Sequence, residues 1–290
     1  MLKKYKAIFF DWDGTAVISR KAPADEAVAA MKPLLAEGVK LAIISGTTIE
    51  NIAHGKLETF FTKEELANLY LGLGRGAYNY AFDESGKAYV FQNEIPDKKV
   101  LSDIHKICFD IHLKLLEDYD FQTDIVFSRP NYCKIDLMVN QNRGENLFMQ
   151  KDELELLKHL LEEHGINGGL QALMNLAVEI GKSYGIEVKP TCDAKYLEVG
   201  VSSKSDNVDT ILERIAGEAG VCVGDCAFWG DEYVGIEEGI YGSDSFMLTS
   251  KTQDGDFFDV SEVTGKRPPE VQVQGGGVER FLSFLREQAK

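Results

Sequence analysis

Positive charge is scarce in this sequence: 31 Lys and Arg face 47 Asp and Glu, a formal net charge of −16. Without a basic surplus there are few counterions to displace from a polyanion, which excludes nucleic acid and anionic membrane surfaces as main partners. Long apolar runs are also missing. No stretch reaches the roughly 18 residues of a membrane span, and the run that begins in MLKKYKAIFF stops at Asp11, too soon for a secretory leader. Cysteine is sparse and poorly spaced for chemistry. Cys108, Cys133, Cys192, Cys222 and Cys226 are an odd set with no C-x-x-C pair, so reduced thiols and a cytoplasmic protein are expected. Internal repeats and low-complexity tracts are absent as well. What remains is 290 residues, 44% apolar and 27% charged, an ordinary globular composition with room for two domains.

The order of patterns divides the chain. Tyr5 to Phe10 predicts a buried strand, Asp25 to Glu37 an amphipathic helix closed by Gly38, VKLAIIS a second strand, and TIENIAHGKLE a second helix. Strand and helix in alternation indicate a parallel α/β sheet. AYNYAF and KAYVFQ around DESG read as a hairpin. Then come a long helix over Asp97 to Asp118, strands in DIVFS and YCKIDLMV, helices over KDELELLKHLLEEHG and Leu170 to Tyr184, and strands in IEVKP and KYLEVGV. The α/β rhythm returns with a helix over SKSDNVDTILERIAGEAG, strands in DCAFWGDE and SFMLT, and a closing helix from Gly277 to Gln288. The expectation is a doubly wound, Rossmann-like α/β core over 1–85 and 191–290, with an inserted α+β cap over 86–190.

Ligands of a doubly wound sheet bind outside the carboxyl ends of its strands, so the residues following each core strand matter most. The first strand delivers Asp11 and Asp13, the second Ser45, Gly46, Thr47 and Thr48, and the late strand Gly230, Asp231 and Glu232; Lys204 heads the helix between. Two carboxylates so close together need a cation or a proton to offset their repulsion. A Ca²⁺ loop also begins D-x-D-G, but it would need Gly and Glu where Ala16 and Ala22 stand. A phosphate monoester offers a consistent chemistry. Asp11 attacks phosphorus, Asp13 protonates the leaving oxygen and then activates water, Mg²⁺ and Lys204 offset charge, and Ser45 with neighbouring N–H groups binds phosphoryl oxygens.

FFDWDGT, IISGTT, SSKSDNVDTIL and FWGDEYVGIEEG, in this order, resemble the four motifs of the haloacid dehalogenase superfamily of phosphatases and phosphomutases. The long insert between the second and third motifs is similar to that of Cof-type sugar-phosphate phosphatases, trehalose-phosphate phosphatases and eukaryotic-type phosphomannomutases. LGRGAYNYAFDESGKAYVF resembles the hairpin those proteins carry before the cap. The resemblance implies an aspartyl-phosphate route with Asp11 as nucleophile and Asp13 as acid/base. It also implies Ser45, Gly46 and Lys204 as phosphate-binding residues, and a Mg²⁺ site of Asp11, Asp13 (through its backbone carbonyl), Asp231 and Glu232. Two positions depart from the pattern. Gly235 stands where Cof-type proteins usually have a second acid, for which Glu232 is the expected substitute, and Thr47 stands where an arginine is common. The expected activity is Mg²⁺-dependent hydrolysis of a small phosphorylated metabolite, a sugar phosphate first, with a phosphomutase and a non-catalytic sugar-phosphate-binding protein as alternatives.

Other features read as structure. Gly181-Lys182-Ser183 lacks the earlier glycine of a phosphate loop, since Leu176 is there. His105 and His112 are expected to be surface or packed histidines, and Glu237, Glu238 and Asp244 a solvated loop.

Overall fold

The computed structural model describes residues 3–141, 153–193 and 195–290. Along the chain run β1 (Ala7–Phe10), α1 (Asp25–Ala36), β2 (Lys40–Ile44), α2 (Lys63–Leu66), β3 (Leu69–Leu73), β4 (Tyr78–Phe82) and β5 (Ala88–Asn93). Then follow α3 (Lys98–Tyr119), β6 (Asp124–Val126), β7 (Tyr132–Asp136), α4 (Glu153–Glu163), α5 (Gly169–Ser183), β8 (Thr191–Cys192) and β9 (Tyr196–Gly200). The chain continues with α6 (Lys204–Ala219), β10 (Cys226–Gly230), β11 (Gly235–Glu237), β12 (Ile240–Tyr241), β13 (Asp256–Asp259), β14 (Val271–Val273) and α7 (Gly277–Gln288). These elements form two compact units. One comprises Met1–Glu94, Lys204–Val234 and Asp244–Lys290, the other Ile95–Ser203 and Gly235–Ser243.

The first unit is the doubly wound α/β core. Its sheet runs β14-β13-β10-β1-β2-β3-β4-β5, parallel from β14 to β3 and antiparallel in β4 and β5. β1, AIFF, lies at the centre with every residue buried, as expected of a strand covered on both faces. Alternation sends Ile8 and Phe10 into one core with Met31 and Leu34 of α1 and Phe281 and Leu285 of α7. Ala7 and Phe9 enter a second core with Val208, Ile211 and Ile215 of α6. On that second face the rings of Phe9, Phe228 and Phe257 stack across three adjacent strands at centroid distances of 4.9 and 4.6 Å. Removing the middle ring (Phe228→Ala) would cost about 3–5 kcal/mol. Asn207 of α6 pins the β3–β4 turn, accepting from Gly76 N at 2.7 Å and donating to the Tyr78 carbonyl at 3.1 Å.

The second unit carries an antiparallel sheet, β6-β7-β9-β8. Cys133, Ile135, Leu197 and Val199 point from it into a core with Ile104, Ile107, Ile111 and Leu115, which recur at helical spacing along α3. Asp97 caps α3 by accepting from Val100 N at 2.8 Å. The outward side of the same strands is polar, with Lys134 against Glu198 at 2.6 Å and Lys195 against Asp136 at 2.9 Å. In the β11–β12 hairpin, Ile240 joins this unit's core, and Glu237 accepts from Gln171 N in the first turn of α5 at 3.0 Å.

Several sequence expectations differ from this description. A division at 85/86 falls inside the β4–β5 hairpin, whose second strand extends the large sheet. A division at 190/191 would give β8 and β9 to the core, yet they complete the second unit's sheet, and that unit continues to Ser203. IEVKP forms no strand, and SFMLT starts inside a 3₁₀ turn over Ser243–Met247. TIENIAHGKLE yields short 3₁₀ segments, with Ala53 and His54 at positive φ, in place of a regular helix. The short strands β13 and β14 had no counterpart in the sequence reading. Lys151 and Asp152, the first residues of the helix expected in KDELELLKHLLEEHG, lie outside the described residues.

Candidate active site

Parallel pairing aligns the strand ends. Phe10 pairs with Trp229 of β10 and Ile43 of β2, so Asp11, Ser45 and Asp231 leave the sheet at one edge. Asp11 N donates to the Trp229 carbonyl at 2.9 Å, and Ser45 N to the Gly72 carbonyl at 2.9 Å. After Asp11 the chain folds tightly back: Ala16 N and Val17 N both donate to the Trp12 carbonyl at 3.0 Å, and Gly14 N to the Val17 carbonyl at 2.7 Å. The Trp12 ring is buried in the core. Gly14 sits at φ +89°, and a Cβ there would lie 2.1 Å from Asp231 Oδ2. Only glycine permits this approach. Thr15 Oγ1 then donates to Asp231 Oδ1 at 2.8 Å, tying the loop after β1 to the loop after β10.

Lys204, the first residue of α6, is buried and donates to Asp11 Oδ1 and Asp244 Oδ1, each at 2.8 Å. Asp244 is fully buried. Its Oδ2 accepts from Asp231 N at 2.9 Å and Glu232 N at 2.8 Å. Gly230 makes room for it, since a Cβ there would stand 2.3 Å from Asp244 Oδ2. One carboxylate oxygen each from Asp11, Asp231 and Asp244 lies within 4.8 Å of the others. Asp13 Oδ2 pairs with Arg20 Nη2 at 2.8 Å, and Arg20 Nη1 reaches Thr47 Oγ1 at 3.4 Å. Ser45 is buried and its Oγ accepts from Thr47 N at 3.3 Å, whereas Gly46 is exposed.

The electrostatics follow from burial and imbalance. Burial pushes the Asp11 carboxyl well above the usual range, Lys204 pulls it back, and the nearby Asp244 charge raises it again. Asp231 is also held well above the range by burial, then by Asp244 and Asp11. Burial disfavours the Lys204 ammonium, but Asp11, Asp244 and Glu232 outweigh that and hold it well above its ordinary value. Burial raises Asp13, against the pull of Arg20. Three acids around one lysine leave the cluster short of positive charge. Hard oxygen donors this close suit a divalent cation such as Mg²⁺.

Sequence reading thus named Asp11, Asp13, Ser45, Gly46, Lys204, Asp231 and Glu232 at this edge. Of these, Asp11, Lys204 and Asp231 meet directly in the charged cluster. Glu232 is not one of the three clustered acids, though its backbone N–H holds Asp244. Asp244, expected in a solvated loop, lies at the centre, because its carboxylate is consumed by Lys204 and two backbone N–H groups. Arg20 was not anticipated either. Its only sequence signal is the Arg20-Lys21 pair of cations, which begins nine residues beyond Asp11.

No protein-family profile matches the chain, and no curated protein matches it. Solved structures do. Plasmodium falciparum IMP-nucleotidase superposes with a TM-score of 0.56 at 15% identity, over 99% of this chain and 62% of that one, so the chain spans less than two thirds of its length. Its N-terminally truncated form bound to IMP gives 0.59 at 13% identity, over 98% and 68%. A Eubacterium rectale protein gives 0.54 at 12% identity over 98% of both chains. At such identities the likeness establishes the fold.

Proposed function

We propose that this chain, which carries the fold of the haloacid dehalogenase phosphatases, is a Mg²⁺-dependent phosphohydrolase of a small phosphorylated metabolite, with sugar phosphates as the first substrate class. The observation that carries the reading is the placement of Lys204, bonded at 2.8 Å to both Asp11 and Asp244 beside Asp231 at the carboxyl edge of the sheet. A non-catalytic binder of anions would gain nothing from acids gathered where a phosphate dianion must enter.

In this reading Asp11 attacks phosphorus and the bond from phosphorus to the leaving oxygen breaks, giving an aspartyl phosphate. Asp13, whose carboxyl burial holds above the usual range, donates its proton to that oxygen. Water then attacks the phosphorus of the aspartyl phosphate, Asp13 takes the water's proton, and inorganic phosphate leaves with Asp11 restored. Lys204 fixes the Asp11 carboxylate and keeps a positive charge against the phosphoryl oxygens. Ser45 and Gly46 are proposed to offer a hydroxyl and backbone N–H to those oxygens. Asp11, Asp231, Asp244 and the Asp13 carbonyl would hold Mg²⁺, with Glu232 as an outer partner. The bound ion would offset the charge brought together by substrate and nucleophile. The inserted unit, the cap of this reading, is proposed to choose the leaving group, and the proposed setting is cytoplasmic, consistent with five free cysteines.

A screen of sugar phosphates and nucleoside monophosphates for phosphate release, with and without Mg²⁺, tests the proposal. Release that needs Mg²⁺ and disappears in Asp11→Asn is expected. Absence of Mg²⁺-dependent release from every monoester would overturn it.

A further inference from the structure

Three acids at the sheet edge have partners already described: Lys204 holds Asp11 and Asp244, and Thr15 holds Asp231. Asp13 is held differently. Among the described residues, the polar contact of its carboxyl is with Arg20, whose Nη2 lies 2.8 Å from Oδ2. The chain brings the two together by doubling back, since Gly14 N donates to the Val17 carbonyl and Asp13 bridges to Val17. From the same guanidinium, Nη1 reaches Thr47 Oγ1 at 3.4 Å in the loop after β2. Thr47 is itself fixed, its carbonyl accepting from Gly74 N at 2.9 Å. Asp13 is buried and the Arg20 side chain is 33% exposed, so little water competes for the pair.

We infer that Arg20 is a positioning residue for Asp13, fixing the orientation in which that carboxyl serves the leaving oxygen. The inference rests on the phosphatase reading and deepens it. The last torsion of an aspartate is broad and roughly two-fold, so a carboxyl without a partner turns freely about it. A guanidinium on one oxygen stops that rotation. Arginine suits the task because its planar fork meets Asp13 and Thr47 together, whereas an ammonium is a single point charge. Position 47 brings no cation of its own, so the charge beside it comes from the loop after β1. If Arg20 merely stitched two loops together, its loss would slow every substrate alike. Acting through an acid, it matters in proportion to how much the leaving oxygen needs a proton.

Phenyl phosphate and 4-nitrophenyl phosphate separate the two roles, because phenolate is a basic leaving group and nitrophenolate departs with little protonation. The measurement is kcat/KM, which reports phosphoryl transfer, for both esters at saturating Mg²⁺. Wild type, Arg20→Ala, Arg20→Lys, Asp13→Asn and the double variant of Arg20→Ala with Asp13→Asn are compared. Arg20→Ala is expected to lose roughly 10- to 100-fold on phenyl phosphate, as a misplaced reacting group does, and only about threefold on 4-nitrophenyl phosphate. The ratio of the two losses does not depend on how much of the variant is folded. Arg20→Lys should recover part of the loss, and Arg20→Ala should cost nothing further in the Asp13→Asn background. Equal losses on both esters, or a further loss in that background, would overturn the role of Arg20 and leave the phosphatase reading standing. A wild type that releases phosphate from no monoester, these two included, would overturn both.

Discussion

Both units bury lysines against carboxylates, but they balance them differently. In the second unit Lys134 meets Glu198 and Lys195 meets Asp136, one cation to one anion, and Lys195 also donates to the carbonyls of Met138 and Gln141. In the first, Lys204 stands alone among Asp11, Asp231 and Asp244. A balanced pair is explained by the fold it holds together. An unbalanced cluster destabilises the fold unless something else brings positive charge. The difference separates a structural network from a site, and it does so without any motif.

The largest effect should come from the unbalanced cluster. Asp11→Asn keeps the shape and removes the proposed nucleophile, so turnover should fall by at least about a thousandfold, with melting temperature unchanged or higher because a buried repulsion is relieved. Steady-state kinetics with a thermal melt reads both. Asp13→Asn should lose about 10²–10⁴-fold in turnover, the range for positioned acid/base help. Wild-type rates would leave Asp13 only its ion pair with Arg20.

Next comes stability. Lys204→Met strands the buried carboxylates of Asp11 and Asp244, at about 3–5 kcal/mol in denaturant unfolding, and Lys195→Met strands the partly exposed Asp136 at a smaller cost. The comparison sharpens when Mg²⁺ is added. The Lys204 variant should recover part of its loss, because a divalent ion can replace the missing charge, whereas the Lys195 variant should not. Equal recovery, or none in either, would erase the distinction between the two networks. A smaller effect tests a purely local feature: Asp97→Ala removes the cap of α3 and should cost about 1 kcal/mol without altering turnover.

How far the sequence discloses this arrangement depends on the locality of each signal. Asp11, Asp13, Ser45 and Asp231 are legible because each follows a short apolar strand, and a parallel sheet brings such ends together. Lys204 is legible as the head of an amphipathic helix. Asp244 is not, because it is 13 residues beyond Asp231 and the intervening Gly235–Ser243 belongs to the other unit. No periodicity carries across such an excursion. β13, with the sequence DFFD, is too short and too charged at its ends to stand out. SFMLT looks like a strand, yet its apolar residues serve a 3₁₀ turn in which Met247 is buried and its carbonyl accepts from Thr252. The β4–β5 hairpin shows a different limit. Its turn is local and readable, but the sheet it extends is set by long-range pairing with β3.

The acids around Lys204 are proposed to form a divalent-cation site completed by Asp244. Its most direct test is calorimetric titration of Mg²⁺ into the wild-type protein and into Asp231→Asn, Asp244→Asn and Glu232→Gln. One site is expected, weakened by at least about tenfold in both aspartate variants and less in Glu232→Gln, as for an outer partner. Wild-type affinity in Asp244→Asn, or the largest loss in Glu232→Gln, would contradict it.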